Sequence, residues 1–177
     1  TLPEAEKPLI EPGDMEIIAA PMAYLGVNYY TRALVQARPG GHFEILPPDD
    51  NVPVTAMNWE IYPQGLCDLL LQLHIEYDLP PLFITENGMA EDDVIQDGQV
   101  HDKVRMGYLQ DHMQAVAAAM EKGVDIRGYF VWSLLDNFEW AQGYLKRFGI
   151  VHVDFTTQQR LPKQSALKLS EWLKQRR

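Results

Sequence analysis

Three short apolar runs, at residues 24–30, 81–88 and 128–133, limit what this chain can fold into. Each is rich in strand-forming residues and ends in polar or aromatic side chains. Between them lie stretches with helical periodicity. Pro63 opens one in which Leu66, Leu69, Leu70, Leu73 and Tyr77 recur at i, i+3, i+4, i+7 and i+11, closing before Pro80-Pro81. A second runs from about Asp102 to Lys122, with Val104, Tyr108, Leu109, Met113, Val116 and Met120 inward and Gly123 as its stop. A last helix starts near Pro162, with Leu169, Trp172 and Leu173 inward. Strand, loop and helix in repeated order imply parallel βαβ units. No polar residue interrupts Leu82 to Ile84, which predicts a strand buried on both faces.

A doubly wound sheet and part of an eightfold barrel both satisfy this order. Two details favour the barrel: no glycine-rich phosphate loop follows any run, and all three runs end in side chains suited to a shared mouth. A complete barrel takes about 250 residues, whereas this chain has 177 and three strand units. The expected fold class is therefore α/β, the C-terminal part (about strands 6 to 8) of a (β/α)8 TIM barrel, with residues 1–177 a portion of one domain. Around these units, residues 1–13 read as an irregular lead-in before a short helical turn. Residues 38–57 read as a long loop with a short strand at 42–46, able to wall a site. Asp97-Gly98 signals a tight hairpin, and the alternation over 147–155 signals another.

Composition narrows the function classes. The net charge of -10, from 15 Lys+Arg against 25 Asp+Glu, argues against a duplex nucleic-acid or anionic-membrane partner, because phosphate contacts need a basic face. No apolar run approaches the roughly 18 residues of a membrane span, and the first residues lack a basic region followed by an apolar one. Cys67 is the single cysteine, which excludes an internal disulfide and suits a reducing cytoplasm, the expected location. The five histidines form no recognised ligand spacing, so neither metal nor cofactor is expected.

The strand ends supply Asn28 and Tyr30, then Glu86, then Trp132 with Glu139 and Trp140. An acid at the carboxyl end of a buried strand lies where such folds bind ligands; from that strand alone, a turn carboxylate bonded to local amides is an equal reading. Tryptophan faces stack on the C–H faces of sugar rings, and carboxylates or Asn pair with vicinal hydroxyls. For each Trp taken singly, core packing is the better reading.

Taken together, the segments resemble glycoside hydrolase family 1, the β-glucosidases and their relatives. Ile84-Thr85-Glu86-Asn87-Gly88 is similar to that family's nucleophile signature, and Leu25-Gly26-Val27-Asn28-Tyr29-Tyr30-Thr31 resembles its sixth strand. Residues 129–140 with 146–151 resemble the eighth strand and the segment after it; Trp59-Glu60-Ile61-Tyr62-Pro63 and Pro162-Lys163-Gln164-Ser165 also fit. The resemblance implies a retaining glycosidase with Glu86 as nucleophile and Tyr30 hydrogen-bonded to it. Asn28 would lie close by, Trp132 under the sugar, Glu139 and Trp140 at its outer hydroxyls, and Phe148 near C6. Relatives acting on 6-phosphorylated sugars have Ser in place of Glu139 and Tyr in place of Phe148. A carboxylate there repels phosphate, so neutral β-glucosides, β-galactosides or oligosaccharides are the expected substrates.

Retention needs two carboxyl groups about 5 to 5.5 Å apart. In the family the second belongs to a Thr-Asn-Glu-Pro motif after the fourth strand, and that tetrapeptide is absent from these 177 residues. The implied partner is the N-terminal part of the barrel, with an oligomer left open and the chain alone expected to be inactive. The alternative is a non-catalytic partial barrel serving as a carbohydrate-binding or assembly module, which would expose sheet edges and aggregate or dimerise.

Overall fold

A computed structural model describes residues 9–175. Of the expected lead-in, residues 1–8 lie outside the described residues and 9–13 have neither helix nor strand. The short helix α1 (Asp14–Ile18) follows, then β1 (Leu25–Asn28). Next come β2 (Leu34–Ala37) and β3 (Phe43–Leu46), paired antiparallel as a hairpin. The strand at 42–46 was expected. Its partner β2 turns the predicted loop into a two-stranded flap with Val35, Phe43 and Ile45 exposed.

Next along the chain come α2 (Pro63–Glu76), β4 (Leu82–Asn87), the small separate ladder of β5 (Ile95–Gln96) and β6 (Gln99–Val100), α3 (Lys103–Glu121) and β7 (Ile126–Val131). Strands β1, β4 and β7 form a parallel sheet in the order β1-β4-β7, each joined to the next through a helix. Asp97 and Gly98 turn the β5–β6 ladder with φ of +50° and +73°, the left-handed geometry a tight hairpin needs.

Val27, Leu82, Ile84 and Ile126 meet Leu66 and Leu70 of α2 and Val116 and Ala119 of α3 in the main core. The opposite face of β4 is different. Phe83 and Thr85 are only half-buried and, with Tyr24 and Phe130, line an open hollow of about 440 Å³. The expectation of a strand buried on both faces is corrected here: that second face is the interior of a barrel that these three strands do not close. Leu173 is exposed, not inward, for a related reason, since it borders an open groove with Phe130 and Leu134 beside β7.

Two further expectations shift. The second hairpin is β8 (Val151–Val153) with β9 (Arg160–Pro162), not a pairing within 147–155. Its turn is set by Asp154, whose Oδ1 accepts the Thr156 and Thr157 N–H groups. On α3 the buried stripe is Arg105, Tyr108, Leu109, His112, Val116 and Ala119, while Val104 and Met120 are exposed; on α2 the stripe stops short of exposed Tyr77. The last helix, α4 (Gln164–Lys174), starts just after Pro162 as expected. None of the described helices is long and apolar enough to cross a membrane.

The carboxyl ends of β4 and β7 cross closely at Gly88. A Cβ there would sit 1.7 Å from the Trp132 carbonyl oxygen, so one backbone has to move if any side chain is added. Gly88→Ala is expected to destabilise the fold by about 3 kcal/mol, read as a lower urea midpoint; an unchanged midpoint would mean that the two strand ends separate freely.

Candidate active site

Glu86 closes the central strand, so its backbone is gripped from both neighbours. The Tyr29 N–H donates to the Glu86 carbonyl at 3.0 Å and the Trp132 N–H to the Asn87 carbonyl at 2.9 Å. Irregular register at Val27/Asn28 and at Ile84/Asn87 sets Asn28 opposite Glu86. Bulges of this kind re-aim side chains at strand ends.

The Tyr30 hydroxyl donates to Glu86 Oε2 at 2.6 Å. Burial, and then the bond to Glu86, push the Tyr30 phenol well above its ordinary range, so it serves as a donor and not as a base. Tyr30 is fixed edge-on by Phe148 at 6.1 Å and by Trp59 at 5.7 Å between ring centroids. On the β7 side the Trp132 indole N–H donates to Glu139 Oε1 at 3.3 Å. Burial raises the Glu139 carboxyl, the indole bond opposes that rise, and the charge of nearby Glu86 adds to it.

Five of the seven expected residues therefore converge: Glu86, Tyr30, Phe148, Trp132 and Glu139. Asn28 lies at the edge, its Oδ1 accepting from the Thr85 hydroxyl at 2.6 Å. Trp140, next to Glu139 in the chain, is 81% exposed. Chemically, the site offers one carboxylate aimed by a phenol, a second one tied to an indole, and aromatic faces around both.

Sequence reasoning missed the supporting groups. Asn87, read as a turn residue, is fully buried and its amide donates to the Tyr29 carbonyl at 2.7 Å and to the Tyr108 hydroxyl at 3.1 Å. Below the site, Arg105 donates to Asp93, Asp102 and the carbonyls of Met89 and Arg147. Lys163 is buried between Asp93 and Asp136, and Asp136 also accepts from Arg147. These pairs tie the loop after Glu86 to the loop bearing Glu139 and to the start of α4. Their signal was present: Arg105 and His112 fall in helical phase with Tyr108 and Leu109, and the loop at 89–101 is acidic.

The family model for glycosyl hydrolase family 1 matches residues 2–177. The chain belongs to that family. Beta-glucosidase A of Thermotoga maritima is 46% identical over 162 residues, which is 91% of this chain and 36% of that protein. The 1,4-beta-D-glucan glucohydrolase of Thermotoga neapolitana is also 46% identical over 162 residues, with the same coverage. A solved family 1 β-glucosidase from Thermotoga maritima superposes with a TM-score of 0.87 at 46% identity, covering 91% of this chain and 37% of that one. The family 1 chain thus spans little more than a third of the length of these relatives. Its fold is part of a (β/α)8 barrel, with no closed barrel among the described residues.

Proposed function

We propose that this chain supplies the nucleophile and much of the glycone site of a retaining β-glycosidase acting on terminal, non-phosphorylated β-glucosides or β-galactosides. The supporting observation is Glu86 at the carboxyl end of the central strand, with the Tyr30 hydroxyl 2.6 Å from its Oε2. Glu86 attacks the anomeric carbon as the glycosidic bond breaks, giving a covalent glycosyl-enzyme that water then hydrolyses. Tyr30 holds one carboxylate oxygen and leaves the other free to attack. Trp132 offers its face to the sugar; Glu139, partly satisfied by the indole, has acceptor capacity left for hydroxyls and repels a phosphate.

The general acid comes from the N-terminal part of the barrel, which joins at the outer edges of β1 and β7 and covers Tyr24, Phe83 and Phe130. The Thr-Asn-Glu-Pro motif that carries this acid in the family does not occur in these 177 residues. The same open edges weigh against a free-standing sugar-binding module, since unpaired strands and exposed apolar faces favour association.

The test uses the assembled barrel, this chain joined to or co-expressed with an N-terminal family 1 portion. A 2-deoxy-2-fluoro-glycoside with a good leaving group is expected to inactivate it and leave one glycosyl adduct on the peptide containing Glu86. An active barrel whose adduct lies on another residue overturns the assignment.

A further inference from the structure

We propose that Tyr108 of α3 is a positioning residue for the Glu86 carboxylate, acting together with Asn87 through Tyr30. The inference rests on the reading of Glu86 as nucleophile. Its basis is a closed ring of bonds. The Tyr108 hydroxyl donates to the Tyr30 carbonyl at 3.0 Å and accepts from Asn87 Nδ2 at 3.1 Å. Asn87 is covalently next to Glu86, and Tyr30 returns to Glu86 Oε2 through its own hydroxyl at 2.6 Å. One phenol oxygen thus sets the spacing between the residue carrying the carboxylate and the residue that aims it.

Each link is over-determined. The second amide N–H of Asn87 is taken by the Tyr29 carbonyl at 2.7 Å, and its Oδ1 accepts from the Tyr129 hydroxyl of β7, so the amide cannot flip. Both Asn87 and Tyr108 are buried, and neither spends its side-chain polar atoms on its own strand or helix. The Tyr108 ring is clamped by His112, stacked on it at 3.8 Å. Burial pushes the His112 imidazole down to about 4 and the Tyr108 phenol upward, so both stay neutral. A tilt at the Tyr30 peptide is amplified at its hydroxyl, the far end of the side chain. Misplacement by about 1 Å can lower a rate by about 100-fold.

Tyr108→Phe keeps the ring and removes the oxygen, leaving the Tyr30 carbonyl and one Asn87 N–H without partners. The readout is inactivation of the assembled barrel by the 2-fluoro-glycoside, which reports attack by Glu86. The rate constant at saturation is expected to fall about fivefold to tenfold while the half-saturating concentration stays within about twofold. In a Tyr30→Phe background the same change is expected to lower the rate by less than about twofold, because the path through Tyr30 is already cut. Tyr129→Phe, which loosens the Asn87 amide from the other side and keeps Tyr108, is read in parallel with the same expectation. A Tyr108→Phe protein that folds and labels like the parent, or losses that multiply in the double variant, overturn the role of Tyr108. Undiminished labelling after Glu86→Gln overturns instead the nucleophile reading beneath it.

Discussion

Glu86→Gln in the assembled barrel is expected to lower kcat by at least about four orders of magnitude, the scale on which losing a covalent nucleophile falls. Gln has nearly the shape of Glu and can still accept from Tyr30 through its carbonyl oxygen. The site keeps its geometry and loses only the anion that the proposed mechanism uses for attack. Glu139→Gln is the informative contrast. Glu139 is buried and meets the Trp132 indole at 3.3 Å, with no bond to Glu86, so its exchange is expected to act mainly on KM. Steady-state kinetics on an aryl β-glucoside check both. A Glu86→Gln barrel that keeps about a tenth or more of its kcat, or a Glu139→Gln barrel that loses most of it, would exchange or remove the assigned roles.

Asp136→Ala is expected to destabilise the assembled barrel by about 3 to 5 kcal/mol. Asp136 has a fully buried side chain, and it accepts from Lys163 Nζ at 2.8 Å, Arg147 at 2.6 Å and the Gly149 N–H at 3.0 Å. Lys163 is itself fully buried, so removing the carboxylate leaves it with Asp93 alone, leaves Arg147 without a carboxylate partner among the described residues, and strips the Gly149 N–H of its acceptor. That imbalance, more than any lost attraction, makes breaking a buried pair severe. A lower urea midpoint at unchanged slope is the expected signature; a loss below about 1 kcal/mol would place Asp136 with ordinary surface pairs. The same residue anchors the loop between Trp132 and Phe148, so partial unfolding there should take the candidate site with it.

Much of the architecture was legible because it is local. Pro63, the leucines at helical spacing and Pro80-Pro81 bound α2; Asp97-Gly98 names its own hairpin; Leu82 to Thr85 reads as strand from residue type alone. Errors arose where polarity was taken for exposure. On α3 a stripe built only from apolar residues took in Val104 and Met120, whereas the buried face includes Arg105 and His112. Arg105 can be buried because Asp93 and Asp102 come to it from the loop after Glu86. Asn87 went the same way. Beside Gly88 it signals a turn, yet it ends β4 with its amide shared among Tyr29, Tyr108 and Tyr129, residues of three other elements or their ends.

By itself, the sequence determined the repeated strand and helix segments, their parallel order, and a set of motifs specific enough to name a family. These depend on neighbours within one or two turns of chain. The motifs also implied that Tyr30 meets Glu86, but only the tertiary structure decided that Phe148 and Trp59 hold Tyr30, that Glu139 rests on Trp132, and that one face of the central strand is open. Those outcomes depend on which distant groups share a desolvated space. Burial multiplies the energy of a charge or hydrogen bond only once its partner has arrived, and no local pattern of polarity records that arrival.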